Sequence, residues 1–154
     1  MDQTKLAFLR DDFIFHLKHL APDAPPKWGK MKGQQMVEHF SFSVKLANGK
    51  IQLPDAVDEE RMKKAVAWIM TDKPFRENTF NPLVPETPGS PVHATMQQSI
   101  EELQHEINDF VHVYESKPGL RIRNPLFGDL NYEEQVQLLY KHAQHHLRQF
   151  GLLS

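Results

Sequence analysis

Apolar side chains recur at helical spacing in four long stretches of this chain, and prolines and glycines interrupt the pattern between them. Leu6, Leu9, Phe13, Leu17 and Leu20 predict a first helix over Gln3–Leu20, closed by three prolines between Ala21 and Pro26. Trp28-Gly29-Lys30-Met31 then leads into a second helix. It sets Met36, Phe40, Ser43, Val44 and Ala47 on one side and stops at Asn48-Gly49. A short helix follows from Asp58, a residue suited to capping its start, to Thr71, with Met62, Ala65, Val66 and Ile69 as its stripe. The cleanest period runs through Met96, Ile100, Leu103, Ile107, Phe110, Val111 and Tyr114 and ends at Lys117-Pro118-Gly119. RIRNPLFGDLN reads as a loop, and the last helix runs from about Tyr132 to Phe150, capped by Asn131 and stopped by Gly151.

The segment from Lys73 to Pro91 holds five prolines. It is too long for an ordinary turn and too rich in proline for a helix. It predicts an ordered crossover or a lid rather than a domain boundary, because neither half of the chain would bury enough apolar surface alone. The expected fold is therefore all-α: a four-helix bundle with a long crossover connection plus a short extra helix, in a single domain over residues 1–154.

Composition removes several function classes. The chain has no cysteine, which excludes a disulfide framework, a thiolate zinc site and a cysteine nucleophile. Its net charge of −2 comes without a basic run or an RNA-type aromatic motif, so no nucleic-acid partner is expected. MDQTKLAFLRDDFIFHLKHL lacks the uninterrupted apolar core of a signal peptide. No stretch approaches the roughly 20 apolar residues that span a bilayer. The expectation is a cytoplasmic protein with no membrane partner. No phosphate-binding glycine loop, nucleotide fingerprint or nucleophile motif is present.

Histidine is the compositional oddity, with nine copies against three tyrosines and two tryptophans. At about 100° per residue, Val136, Leu139, Tyr140, Ala143, Leu147 and Phe150 form the core stripe of the last helix. His146 lies on the shoulder of that stripe, His142 just beyond it on the same side, and His145 near the opposite pole. His39 sits on the shoulder of the second helix's stripe. An i,i+4 pair presents both imidazoles to one ion, and a third from another helix completes a three-ligand site with open positions. Ala143 stands where a zincin carries its glutamate, so that chemistry is excluded. A histidine on a helix shoulder is more often a packing residue than a ligand, so spacing alone leaves both readings open. His16, His19, His105 and His112 fall among polar neighbours and read as solvated, His145 reads as surface, and His93 faces the proline-rich segment. Gln149, one turn beyond His146, and Gln35 and Glu38 beside His39 are candidates to orient the imidazoles. Trp28 reads as a structural anchor, Tyr140 and Tyr132 as packing or substrate-orienting groups, and Phe75, Phe80 and Phe127 as loop aromatics.

Three segments together carry a family resemblance. NPLFGDL followed by LLYKHAQHHLRQFGLL resembles the last helix of the DinB/YfiT-like metalloenzyme superfamily, and WGKMKGQQMVEH resembles its second-helix start. The features WGKM and HHLRQFG point to an uncharacterised branch of it. The resemblance implies a four-helix bundle whose metal ligands are His39, His142 and His146. It also implies a divalent ion (Zn, Ni or Fe), a small-molecule substrate, in some members a low-molecular-weight thiol, and a possible homodimer. The implied function is a metal-dependent hydrolase or thiol transferase. Leu147-Arg148 departs from the basic-small pair usual after the last histidine, so any role of that pair is not carried over. The alternative is a non-catalytic helical module in which the histidines are structural, or one that binds partners through the segment 73–91.

Overall fold

Helix boundaries follow the local chemistry of their ends. The computed structural model describes residues 3–78, 81–85 and 87–153; Phe80, one of the expected loop aromatics, lies outside the described residues. The chain starts with α1 (Gln3–Ala7), a single π turn (Phe8–Asp12) and α2 (Phe13–Lys18), joined through residues of helical dihedral angles into one continuous rod. The wider turn absorbs an extra residue while Leu6, Leu9, Phe13, Ile14 and Leu17 all stay buried. α3 (Gly33–Ala47) begins where the Gln35 side chain accepts a hydrogen bond from Lys32 N. A Cβ at Gly33 would stand 2.3 Å from the Ala21 carbonyl oxygen, so only glycine lets α3 dock on the proline-rich turn before it.

α4 (Glu59–Ile69) is capped by Asp58 as expected, and is two residues shorter at its C-terminus than the sequence predicts. α5 (Met96–Ser116) and α6 (Tyr132–Gln149) both open with capping boxes, Thr95 with Gln98 and Asn131 with Glu134. Gly151 follows α6 with φ +72°, the left-handed stop that the sequence placed there.

RIRNPLFGDLN is a correction. It is not a plain loop but a hairpin of β1 (Ile122–Asn124) and β2 (Gly128–Leu130), paired antiparallel with Arg123 opposite Asp129. Arg123 fastens it outward, bonding Asp55 at 2.7 Å and 2.9 Å and also reaching Glu59 and Asp129.

The structure is mostly helical, with that one small sheet among the described residues. α3 lies along α5 in the most extensive helix contact, α1 and α2 pack on α5 and α6, and α4 packs on α6 and β2. The core between them is closed by Phe13, Phe40, Phe110, Leu103 and Leu147, all fully buried. Phe40 packs on Phe13 at 4.7 Å between ring centroids and stacks on His142 at 4.9 Å. The core and the histidines therefore share a side chain. No helix among the described residues is long and apolar enough to cross a membrane.

The proline-rich segment is tied down at both ends. Lys141 lies against the Trp68 ring and donates to the carbonyls of Trp68 (3.2 Å) and Lys73 (2.7 Å). The Trp68 carbonyl belongs to the last turn of α4, where a cation is favoured. At the far end Glu38 accepts from Val92 N at 2.7 Å and His93 N at 3.0 Å, and Gln35 donates to the Gly89 carbonyl at 2.8 Å. Described residues of the strap so held, Phe75 and Leu83 among them, share a cavity with side chains of α3 and α6.

Candidate metal centre

α3 presents His39 and α6 presents His142 and His146, and the three rings meet under the strap. His39 Nε2 lies 3.2 Å from His142 Nε2, and His142 Nε2 lies 2.7 Å from His146 Nε2. Ring centroids are 4.4 Å apart for the α6 pair and 5.1 Å from His39 to each of its two neighbours. The helix wheel thus picks out the two α6 histidines that meet here, and the third ring comes from the helix shoulder the sequence indicated.

The contacts around His146 fix its tautomer. Gln149 donates its amide N–H to the Trp28 carbonyl at 2.9 Å, so its Oε1 faces His146 Nδ1 at 2.7 Å. Nδ1 must then carry the proton, and the Nε2 of a neutral His146 is a bare lone pair aimed at the other two rings. Gly29 makes this possible. Its φ is +81°, and a Cβ there would approach Gln149 Nε2 to 3.1 Å. WGKM is thus a support for the imidazoles as well as a helix start. Gln149 occupies the supporting position expected of it.

Gln35 does not. Its amide is spent on Lys32 N and the Gly89 carbonyl, so it holds the strap rather than a histidine. Glu38 serves the same end. Burial pushes its carboxyl up, but the backbone N–H groups of His93 and Val92 and the Ser99 hydroxyl outweigh that and hold it below the ordinary range. Both of its oxygens are occupied, so it offers no spare base.

Burial strips charge from the centre. Desolvation pushes His39 down to about 4, helped by the charge of His145. It pushes His142 and His146 well below the ordinary histidine value, with further repulsion among the rings. All three are neutral at pH 7, the form that ligates a metal.

Beside the rings lies a cavity of about 1050 Å³, walled by α3, α6, the strap and the hairpin turn. His145 corrects the sequence reading. It is half-buried, lines this cavity, and packs on Trp28 at 5.5 Å and Phe75 at 5.9 Å. The wheel placed it opposite the core, but the strap folds back and covers that pole. Phe75 and Phe127 also line the cavity, and Trp28 both anchors and lines. Tyr132 packs flat on Phe110 and Tyr140 edge-on to Phe8, away from the site. His93 pairs with Glu102 at 3.2 Å, His105 is exposed beside Asp109, and His16, His19 and His112 stay off the cavity wall. Gln135 and Asn124 also line the cavity, and sequence reasoning missed both. Gln135 carried one usable signal, its position two helical turns before His142 on the same face.

No protein-family model, curated protein or solved structure matches this chain.

Proposed function

We propose that this chain is a DinB-like metal-dependent enzyme, a four-helix bundle with a long crossover in which His39, His142 and His146 hold one divalent ion. The observation that carries the reading is the crowding of the three Nε2 atoms. His142 Nε2 has one hydrogen-bonding site but two nitrogen neighbours, so it cannot make a full hydrogen bond to both. One contact therefore sets like against like in a buried place, which a cation would relieve. The donor set fits Zn, Ni or Fe, since imidazole suits all three. Two nitrogens at about 2.05 Å from a tetrahedral ion stand roughly 3.3 Å apart. The His39–His142 pair already meets that spacing, and the α6 pair has to open by about half an ångström.

An ion held by three neutral imidazoles keeps its full charge and open positions, and supplies Lewis-acid activation of water or of a thiol. The chain's own residues do the rest. Gln149 keeps the His146 proton on Nδ1, Phe40 fixes the plane of His142, and Phe75 of the strap stands edge-on to the same ring. The cavity admits a small molecule to the same face. The proposed activity is hydrolysis or thiol transfer on that molecule.

Elemental analysis of tag-free protein, made without a metal-affinity step, tests the reading. About one Zn, Ni or Fe per chain is expected in the wild type, as for a single three-histidine site, and none in His146→Ala. No metal in the wild type, even after loading with each ion in turn, would return the histidines to packing.

A further inference from the structure

A second, smaller cavity of about 340 Å³ lies on the other flank of α6. It shares no wall residue with the cavity beside the histidines. Gln137, Tyr140, Lys141, Gln144 and Arg148 recur at three- and four-residue spacing, so they form one face of the helix. That face lies about 160° around α6 from His142 and His146. Lys5 of α1 completes the wall, with Asp72, Lys73 and Pro74 where the strap leaves α4.

Charge is unevenly placed here. The chain as a whole carries 20 acidic and 18 basic residues, histidine aside. This wall sets Lys5, Lys73, Lys141 and Arg148 against Asp72 alone. Lys141 is only 4% exposed. A lysine so enclosed is usually paired with a carboxylate. This one donates to the neutral carbonyls of Trp68 and Lys73 and lies on the Trp68 ring. Those contacts satisfy its N–H groups and leave its charge uncancelled. Asp72 attracts the ammonium and Lys5 repels it, so the one carboxylate of the wall is opposed by a second cation.

The position of Lys5 is built rather than left to solvent. Its Nζ donates to Gln137 Oε1 at 2.5 Å. Gln137 is itself buried, and its amide N–H groups go to the Ile69 and Thr71 carbonyls at 2.8 Å and 3.3 Å. The fixed amide brings the Lys5 charge to the end of α4, where Lys141 also sits. Like charges gathered around one concavity repel, and an anion seated among them relieves that repulsion. Lys5 and Arg148 are half-buried and Lys73 is exposed, so an anion arriving from solvent can meet them directly. Lys141 then acts from behind through its field. Tyr140 and Gln144 add a hydroxyl and an amide as neutral donors.

We propose that this pocket binds a phosphate dianion, free or at the end of a small phosphomonoester, with Lys5, Lys73 and Arg148 as its direct partners. Cations drawn from α1, α6 and the start of the strap exceed what a single carboxylate can engage, and match the several oxygens of a phosphate. The Arg148 guanidinium can take two of those oxygens at once, and the lysines serve as point charges. The volume leaves room beside the phosphate for a small organic group. The site is separate from the histidines and does not rest on the metal reading.

Calorimetry on the metal-free full chain in low-salt buffer, with inorganic phosphate, glycerol phosphate and malonate as probes, tests the proposal. Metal is removed so that no phosphate can bind an ion at the histidines. Saturable binding of one phosphate or one glycerol phosphate per chain is expected, with malonate weaker than either. Whichever phosphate probe binds more tightly identifies the source, a phosphomonoester or the free ion. Lys73→Met and Arg148→Met should each weaken that binding about tenfold, the worth of one charge-assisted hydrogen bond. Lys117→Met removes the same charge from an exposed position at the end of α5 and should change it little. These variants are preferred to Lys141→Met, which would also untie the strap. No saturable binding of either phosphate probe at about 10 mM, malonate bound as tightly as the better of the two, or a loss in Lys117→Met equal to that in Arg148→Met would overturn the proposal.

Discussion

Among the described residues, two groups of three possible metal ligands lie on the helices, His39 with His142 and His146, and His105 with Glu106 and Asp109. They differ in what else their atoms are doing. In the second group Lys50 bonds Glu106 at 2.9 Å and also reaches Asp109. Asn48 donates to the same Glu106 oxygen at 2.9 Å. His105 is 71% exposed and is free to turn towards water. Every negative charge there already has a positive partner. In the histidine group no lysine or carboxylate among the described residues intervenes, one ring's tautomer is fixed from behind, and the lone pairs meet each other. Closeness of ligand atoms is common to both. Unspent lone pairs turned on one another in a largely buried place belong to one, and that is what marks it as the candidate.

Acid should separate the two groups most strongly. His39 is held at about 4 by burial, against 6.5 in an unfolded chain. The unfolded state therefore takes up more protons between those values, and stability must fall as pH drops from about 6.5 towards 4. His39 alone accounts for about 3 kcal/mol of that loss, and His142 and His146 add to it in the same direction. Urea midpoints of metal-free protein at pH 7.5, 6, 5 and 4.5 will show it, about 2.5 kcal/mol at pH 4.5 for His39's share. The wild type should decline more steeply than His39→Gln, and parallel curves would mean that the His39 ring is not desolvated. His105→Gln should leave the curve close to the wild type.

The helical parts of the fold and the three imidazoles were legible in the sequence because both obey a local period. Met96 to Tyr114 and Val136 to Phe150 write their buried faces as stripes, and a residue's angle from the stripe places His142 and His146. What failed was whatever depends on a second segment folding back. His145 stands away from the core stripe of its own helix, and only the strap, through Phe75, makes that pole an interior wall. The hairpin went unseen because its strands are three residues each, too short for an alternation to register. Its hold comes from Arg123 reaching Asp55 and Glu59, more than sixty positions earlier. Gln149 was found because it lies one turn from His146. Gln35 misled for the same reason. It is as near to His39 in sequence, but its amide was claimed by Lys32 N and Gly89.

Removing the support behind one ring is a milder test of the same contrast. Gln149→Ala leaves all three imidazoles in place but frees the His146 tautomer and empties the bond to the Trp28 carbonyl. Loss of such a partner weakens metal binding by about 10- to 100-fold. Competition against a chelating indicator measures it, with the wild type alongside. Affinity unchanged in Gln149→Ala would show that the rings are held by packing against Phe40 alone. The corresponding partner in the exposed group, Asn48, can be replaced by alanine with no effect on metal affinity.

Lys50→Met is the smallest change and the most direct attack on the distinction. The Asp109 and Glu106 side chains hold the Lys50 ammonium above its ordinary range, while it occupies the place an ion would take between them. Lys50 is 44% exposed, so the screened pair stabilises the fold by about 1 kcal/mol or less. The variant should melt slightly below the wild type. Its metal content should stay at about one ion per chain, because His105 and Asp109 remain open to water and cannot repay the dehydration of a cation. If instead the variant takes up a second ion, the lysine has been masking a competent site. Enclosure would then no longer be what tells the two groups apart.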